Sequence, residues 1–386
     1  MLKQLSVAAA LAGAALAQNT PSLADALRSS SELSTLAGLV PQDVLQTLSS
    51  ASNITILAPG NSAFEKVSPQ LLSSLTTTPG AITALLQYHV LNGSYPSSAI
   101  PEQGAFVPTL LTNSSYTNVT GGQVVHATTE DNKVVFFTGS LSNSTVTTAN
   151  VNFTGGVIHI IDTLLTIPGS VSDIATAAGL TSVRGALVSA NLVETVNTTP
   201  DVTIFAPTNQ AFQNIGSALP GLSADDLTKI LTYHVIAGTV GYSTRLANGT
   251  SLATVNGANV TITINDNGIF VNNAEVVIAD VLVANGVVHV IDQVLNPNNA
   301  TVSNEDDGVP AYSGATPVSA APFTSGQPTP SAPIGGGAGA GNGTRPTGSG
   351  SPTSSTGLPQ ATTNAAPVLA VSGGFAGLLA AAAFFL

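Results

Sequence analysis

One pattern is written twice in this chain, in the same order and at nearly constant spacing, and this sets the scale of what can fold. Ser22-Leu23-Ala24-Asp25 returns as Ser170-Val171-Ser172-Asp173, an offset of 148. Thr55-Ile56-Leu57-Ala58-Pro59, with Asn61, Ala63 and Phe64 behind it, returns at 148 as Thr203-Ile204-Phe205-Ala206-Pro207, Asn209, Ala211 and Phe212. Tyr88-His89-Val90 returns as Tyr233-His234-Val235 at 145. Gly156-Val157-Ile158-His159-Ile160-Ile161-Asp162 returns as Gly286-Val287-Val288-His289-Val290-Ile291-Asp292 at 130. Four blocks repeated in order require two domains of one architecture. The shrinking offset gives the first copy longer loops, expected around residues 93–120.

Each block has a local reading. Ser with an acid three residues later is a capping box that opens a helix. The β-branched runs at 53–57 and 202–205 read as buried strands, each ended by Ala-Pro. Residues 260–264 and 269–271 flank Asn265-Asp266-Asn267-Gly268 as a hairpin, and 124–128 and 134–137 flank Glu130-Asp131-Asn132-Lys133 as its counterpart. Leu, Ile and Tyr fall at helical spacing over 81–88 and 224–233. Each copy is therefore α+β, with too few βαβ alternations for a doubly wound sheet.

The ends of the chain read as processing signals. Lys3, an apolar stretch over 5–16 and the exit Ala15-Leu16-Ala17 make residues 1–17 a secretory signal peptide. At the other end, Asn364-Ala365-Ala366, a spacer and the apolar run 375–386 form a glycosylphosphatidylinositol (GPI) attachment signal, with Asn364 as the attachment residue and 365–386 as the removed propeptide. The run is shorter than the roughly 20 residues a spanning helix needs, and no basic cluster follows it. The domains then occupy 18–166 and 167–298. Residues 299–364, dominated by Pro, Gly, Ser and Thr, read as a disordered, O-glycosylated stalk.

Composition removes several function classes. The absence of cysteine excludes thiol catalysis and zinc-thiolate sites, and leaves each secreted domain to be held by its own apolar core. With 8 basic against 20 acidic residues, a net charge of −12, the chain is repelled by nucleic acid, and the same deficit of Lys and Arg argues against adsorption to anionic lipid. Membrane contact is expected through the GPI lipid alone. No Gly-x-Ser-x-Gly elbow, catalytic carboxylate pair or metal-ligand cluster is present, so no enzyme activity and no cofactor is expected.

The Thr-Ile-x-Ala-Pro-x-Asn-x-Ala-Phe block, the Tyr-His pair and the Gly-Val-x-His-x-Ile-Asp block together resemble the fasciclin (FAS1) family, in both copies. The resemblance implies tandem domains, each a twisted β-sandwich or wedge with helices packed at one side. It also implies extracellular adhesion or matrix and cell-wall association. Signal, domain pair, stalk and anchor are similar to the fasciclin-like surface proteins of fungi and plants, and the Ala- and Ser-rich style points to a fungus. In animal members the Tyr-His region is implicated in integrin recognition, which on this chain would indicate Tyr88, His89, Tyr233 and His234.

The remaining candidates divide into structural residues and surface modifications. Thr55, Pro59, Asn61, Phe64, His159, Asp162 and their repeats Thr203, Pro207, Asn209, Phe212, His289 and Asp292 form the structural signature. The four repeated histidines read as buried neutral imidazoles, and His126, aligned with Thr261, as incidental. His159 and Asp162, like His289 and Asp292, stand three apart, so a strand sends them to opposite faces and the acids are expected to anchor turns. The run 265–268 lacks the alternate acids and distal Glu of a calcium loop. Eleven sequons occur, at Asn53, Asn92, Asn113, Asn118, Asn143, Asn152, Asn197, Asn248, Asn259, Asn299 and Asn342. Of these, Asn113, Asn118 and Asn342 lie in expected loops or stalk, and Asn53 in a strand. The expected function is surface adhesion, or cell-wall and matrix organisation, through weak contacts with wall glycans or other surface proteins. The alternative is a binding module for a wall glycan or small apolar ligand.

Overall fold

A computed structural model describes residues 20–67, 77, 79–300, 302 and 311–328. The expected signal peptide, the sequon at Asn342, the attachment residue Asn364 and the apolar tail lie outside the described residues. Each copy folds into one seven-stranded sheet with helices against one side. In the first copy the strands are β1 (Ile54–Pro59), β2 (Val90–Asn92), β3 (Ala105–Pro108), β4 (Val124–Glu130), β5 (Lys133–Phe137), β6 (Asn143–Phe153) and β7 (Gly156–Ile161). Their order is β2-β1-β7-β6-β5-β4-β3, with β1 and β7 parallel and the other pairs antiparallel. The sheet curls until its ends meet at a bridge between Leu91 and Thr109. The wedge is thus a single nearly closed sheet.

The second copy repeats this with β8 (Val202–Pro207), β9 (Val235–Ile236), β10 (Ser251–Ala253), β11 (Asn259–Asn265), β12 (Gly268–Val271), β13 (Ala274–Val283) and β14 (Gly286–Ile291). Its order is β10-β11-β12-β13-β14-β8-β9, closed where the Val255 N–H donates to the Val235 carbonyl at 2.8 Å. Burial on both faces explains the unbroken apolar runs of β1, β7, β8 and β14. Ile54, Ile56 and Ala58 face the helices, while Leu57 faces the inside of the curl with Tyr88 and Phe136. At Gly156 and Gly286 the parallel partner comes so close that a Cβ would fall on the carbonyl oxygen of Ile54 or Val202.

Local chemistry accounts for the element ends. Ser22 and Ser170 cap the helices Leu23–Ser29 and Val171–Ala177, each hydroxyl accepting from the N–H three residues on and donating to that residue's carboxylate. Ser223 and Asp226 do the same at Ala224–Tyr233, a capping box the sequence reading missed. In the first hairpin Asp131 and Asn132 both take positive φ, 48° and 62°, the mirror-image turn that suits strand twist. In the second, Asn265 Oδ1 accepts the N–H groups of Asn267 and Gly268, so this oxygen is spent on the turn.

Two expectations need correction. The extra residues of the first copy do not all lie in 93–120. The offset falls from 148 at Phe64 to 145 at Tyr88, 135 at Val124 and 130 at Gly156, so three extra residues lie between Phe64 and Tyr88 and five between β5 and β6, at the turn Gly139–Leu141. The disordered stalk expected from 299 is also interrupted, because residues 311–328 form a strap on the second domain. Phe323 packs edge-on against Phe212, Val318 covers Gly216, and the Tyr312 hydroxyl donates to the Leu295 carbonyl at 3.2 Å. The Val318 N–H donates to the Gln213 carbonyl at 3.0 Å, and Arg184 donates to Gln327. Gly185 is required at the middle of the helix Thr181–Ser189 because a Cβ there would strike the Phe323 carbonyl.

Candidate functional site

The repeated histidines are occupied by the backbone. His89 Nδ1 lies 2.7 Å from the Leu85 carbonyl, and its Nε2 accepts the Leu165 N–H at 3.0 Å. His234 repeats this with the Ile230 carbonyl at 2.8 Å and the Leu295 N–H at 2.9 Å. An amide can only donate and a carbonyl only accept, so both rings are neutral with the proton on Nδ1. Burial lowers both from 6.5 to about 4, against the opposing effect of the carbonyl bond.

His159 and His289 carry the opposite tautomer. Their Nε2 atoms meet the carbonyls of Tyr95 and Gly241 at 2.8 Å each, and their Nδ1 atoms accept the N–H groups of Asn150 and Asp280 at 3.3 Å. Burial lowers His159, the Tyr95 carbonyl opposing it. Asn150 and Asp280 sit in bulges of β6 and β13 at φ 60° and 62°. Their side chains hold Ser97 and Ser243 in turn, by N–H bonds of 2.9 and 2.8 Å and by the hydroxyls. Thr55 and Thr203 tie the same loops, each hydroxyl donating to a carbonyl, Gly93 or Thr239, and accepting an N–H, Tyr95 or Gly241. Threonine, loop, histidine and bulge are one internal unit in each copy. Among the described residues no group of three or more His, Cys, Asp or Glu could hold a metal.

The rest of the signature is internal too. Asn61 accepts the Thr35 N–H at 3.0 Å and Asn209 the Ser182 N–H at 2.9 Å, each pinning a neighbouring helix. Pro59 and Pro207 end β1 and β8 opposite Ile161 and Ile291. Phe212 is buried and Phe64 half-buried. Asp162 accepts the Thr145 N–H at 2.8 Å and Asp292 the Glu275 N–H at 2.7 Å. Burial would raise the Asp162 carboxyl, but the Thr145 amide, Lys66 at 3.4 Å and Thr163 together lower it.

The carried-over adhesion motif meets a plain correction. Tyr88 and Tyr233 are 0% exposed and His89 and His234 are 3% exposed. The tyrosine hydroxyls donate inward, to the carbonyls of Val124 at 3.0 Å and Asn259 at 2.9 Å. In the folded protein these four side chains present nothing to a partner. A cavity between helices and sheet of the second domain, lined by Val171, Ile174, Val183, Leu187, Ile204 and Val290 among others, measures about 20 Å³. That is room for one water-sized group, not for an apolar ligand.

The surface carries the sequons. Asn92, Asn113, Asn143, Asn152, Asn248 and Asn259 are exposed. Asn53 is exposed as well, one residue ahead of β1 instead of within it, with Oδ1 accepting the Ser94 N–H. Asn197 is half-buried with both amide atoms bonded to Ser172, and half-buried Asn299 donates to the Ala311 carbonyl. Asn118 is exposed, but its backbone is held between the domains.

That seam is the feature the sequence reading missed. Phe106 and Val124 of the first domain share one buried cluster with Tyr242, Leu282 and Val287 of the second. One face of Phe106 stacks on Tyr242 at 4.1 Å, and the other on His126 at 4.6 Å, which in turn stacks on Phe137 at 5.8 Å. Arg245 caps the far side of Tyr242, 5.3 Å from the ring centre. Hydrogen bonds frame the stack: Asn118 N–H to the Ala284 carbonyl at 2.8 Å, Gln123 Nε2 to the Val283 carbonyl at 3.1 Å, and Thr120 N–H and Oγ1 to Asp201 at 2.7 and 2.6 Å. The turn Gly139–Leu141 packs on β13. The insertion before Val124 and the one at Gly139–Leu141 therefore both meet the second domain. His126 is not incidental: it is half-buried in this stack, and burial lowers its pKa while Asp280 opposes that shift. Its mismatch with Thr261 in an otherwise matching repeat was the available signal.

A family model described as a fasciclin domain matches residues 31–168 and again 178–297. A fasciclin-like arabinogalactan protein of Arthroderma benhamiae is 38% identical over 79% of this chain and 73% of its own length. Another, of Phaeosphaeria nodorum, is 30% identical over 71% of this chain and 88% of its own. Human periostin is 28% identical over 73% of this chain and 32% of periostin. Among solved structures, a FAS1 domain pair from the insect cell adhesion molecule fasciclin I aligns over 68% of this chain and 95% of its own at 21% identity and a TM-score of 0.34.

Proposed function

Because the chain belongs to the fasciclin domain family, we propose that it works outside the cell as a surface protein that mediates adhesion or organises the wall. The similarity to fungal fasciclin-like arabinogalactan proteins across both domains carries this reading. Since the repeated Tyr-His pairs are buried, the contacts come from the outer faces of the domains and from their glycans. Each contact is weak, and many copies held in one plane by a GPI lipid at Asn364 act together, so that avidity replaces affinity. Wall glycans and other surface proteins are the partners this surface fits, and its acidity disfavours nucleic acid. Phosphatidylinositol-specific phospholipase C releases the protein from membranes on this reading. Retention after treatment, with no wall-bound pool, removes the anchoring half. Cells deleted for the gene lose adhesion or wall integrity, and unchanged behaviour in both assays removes the rest.

A further inference from the structure

The same helix pair occurs in both copies, and only the second is covered. In the second domain the helices Thr181–Ser189 and Asn209–Asn214 pack together and the strap lies across them. In the first, Ser34–Leu39 and Asn61–Glu65 pack in the same way. The asparagine bond fixes the register. Asn209 accepts the Ser182 N–H as Asn61 accepts the Thr35 N–H, so Gly38 stands where Gly185 stands, and Phe64 where Phe212 stands.

The strap accounts for the glycine beneath it. Gly185 is buried, and the Phe323 carbonyl lies where a Cβ would be. Gly38 has no such reason. It is exposed, its φ is not positive, and among the described residues nothing lies within 4 Å of a Cβ built on it. Glycine in a helix is less stable than alanine, because it loses more backbone freedom on folding. The first domain carries that cost with nothing seated on the helix. Beside it Ala37 is exposed, and Phe64 is half-buried where Phe212, under Phe323, is 1% exposed. Ala37, Gly38 and Phe64 thus form a surface that admits a close backbone and leaves one ring to be covered.

The two grooves differ where the strap makes its own polar contacts. Arg184, which donates to Gln327, is replaced by Ala37. Gln213, whose Nε2 donates to the Ser319 carbonyl at 3.4 Å, is replaced by Glu65. A carboxylate cannot donate to a carbonyl. The neighbouring cation, Lys66, is paired with Asp162 at 3.4 Å. A strap from a second copy would therefore bring a carbonyl against Glu65, and that strap is already seated on its own domain. The first groove keeps what lets a backbone approach and lacks what selects this strap.

We propose that the groove of Ala37, Gly38, Phe64 and Glu65 is a docking site for an extended segment of another protein. That segment is rich in small residues and proline, as the strap is. It carries one large apolar side chain to cover Phe64 and a lysine, arginine or hydroxyl group to meet Glu65. The proposal gives the adhesion reading a partner class and rests on that reading for where the partner is met. Binding in solution tests the groove whether or not the protein proves to mediate adhesion.

A labelled peptide of residues 311–328 is the probe, titrated into the full-length protein. Saturable binding is expected, with a dissociation constant of about 1 mM or tighter. Gly38→Ala weakens it at least about tenfold, because the new Cβ meets the docked backbone as one at Gly185 would meet Phe323. The same substitution leaves the thermal unfolding temperature of the first domain unchanged or raises it, since the place is open and alanine favours the helix. Glu65→Gln supplies the donor that Gln213 supplies and tightens the peptide about threefold. Absence of saturable binding, equal binding in Gly38→Ala, a lower unfolding temperature in that variant, or no gain in Glu65→Gln overturns the proposal. So does self-association of the wild-type protein that Gly38→Ala abolishes, which assigns the groove to a second copy.

Discussion

His89 and His234 illustrate how one residue can fold a helix end and expose the domain to acid. Each ring connects the last turn of a helix to a strand-exit amide, so it is useful only while neutral. The sign follows from a folded pKa near 4 below the ordinary 6.5. The stabilisation is complete above about pH 6.5 and is lost as pH falls through 4, up to about 3 kcal/mol per histidine. Urea unfolding at a series of pH values should show this slope. His89→Gln should flatten it in the first domain and lower stability at neutral pH by about 2 kcal/mol, because the Leu165 N–H loses its acceptor. The sequence marked these histidines by their recurrence with the same neighbours. It did not reveal their partners. Asn150 and Asp280 become ligands of His159 and His289 only through a bulge, and a bulge leaves no mark in an alternating pattern.

Among the elements, those with a strong period were legible. The helices over 81–88 and 224–233 and both hairpins fall where apolar spacing and turn residues placed them. Gly156 and Gly286 were visible only as repeated letters, and the structure supplies the reason, a parallel strand lying where a side chain would be. Gly286→Ala should therefore destabilise the second domain by at least about 3 kcal/mol, measured by thermal unfolding, with the first domain's transition retained. The strap was illegible for a different cause. Tyr312, Val318 and Phe323 are isolated among Pro, Ser, Thr and Ala, so no window around them has a period or a high apolar content. Phe323→Ala removes its contact with Phe212, and Gly185→Ala obstructs the same place from beneath. Either should raise amide exchange across 311–328 by an order of magnitude or more without unfolding the sheet. Unchanged protection in both variants would mean that the hydrogen bonds of Val318 to the Gln213 carbonyl and of the Thr316 N–H to the Ser217 hydroxyl suffice by themselves.

For the whole molecule, duplication was the clearest message of the sequence and the relation between the copies the most obscure. Contacts across a seam have no periodicity, and only the places where the copies disagree mark them. Phe106→Ala should broaden the interdomain distance at neutral pH while costing the first domain less than a core truncation would, because one face of the ring serves the second domain and only the other packs within the first. Asp201→Ala, which frees Thr120, should act in the same direction, and small-angle scattering would register both. The strap has one more consequence, which is mechanical. Tension drawn from the C-terminal side reaches Gln327 and Phe323 before it reaches β14, and those contacts lie on the helices, away from the sheet's own hydrogen bonds. Peeling residues 311–328 would release roughly 60 Å of slack before any strand of the second domain is strained, making the strap a shock absorber in series with the domain it covers.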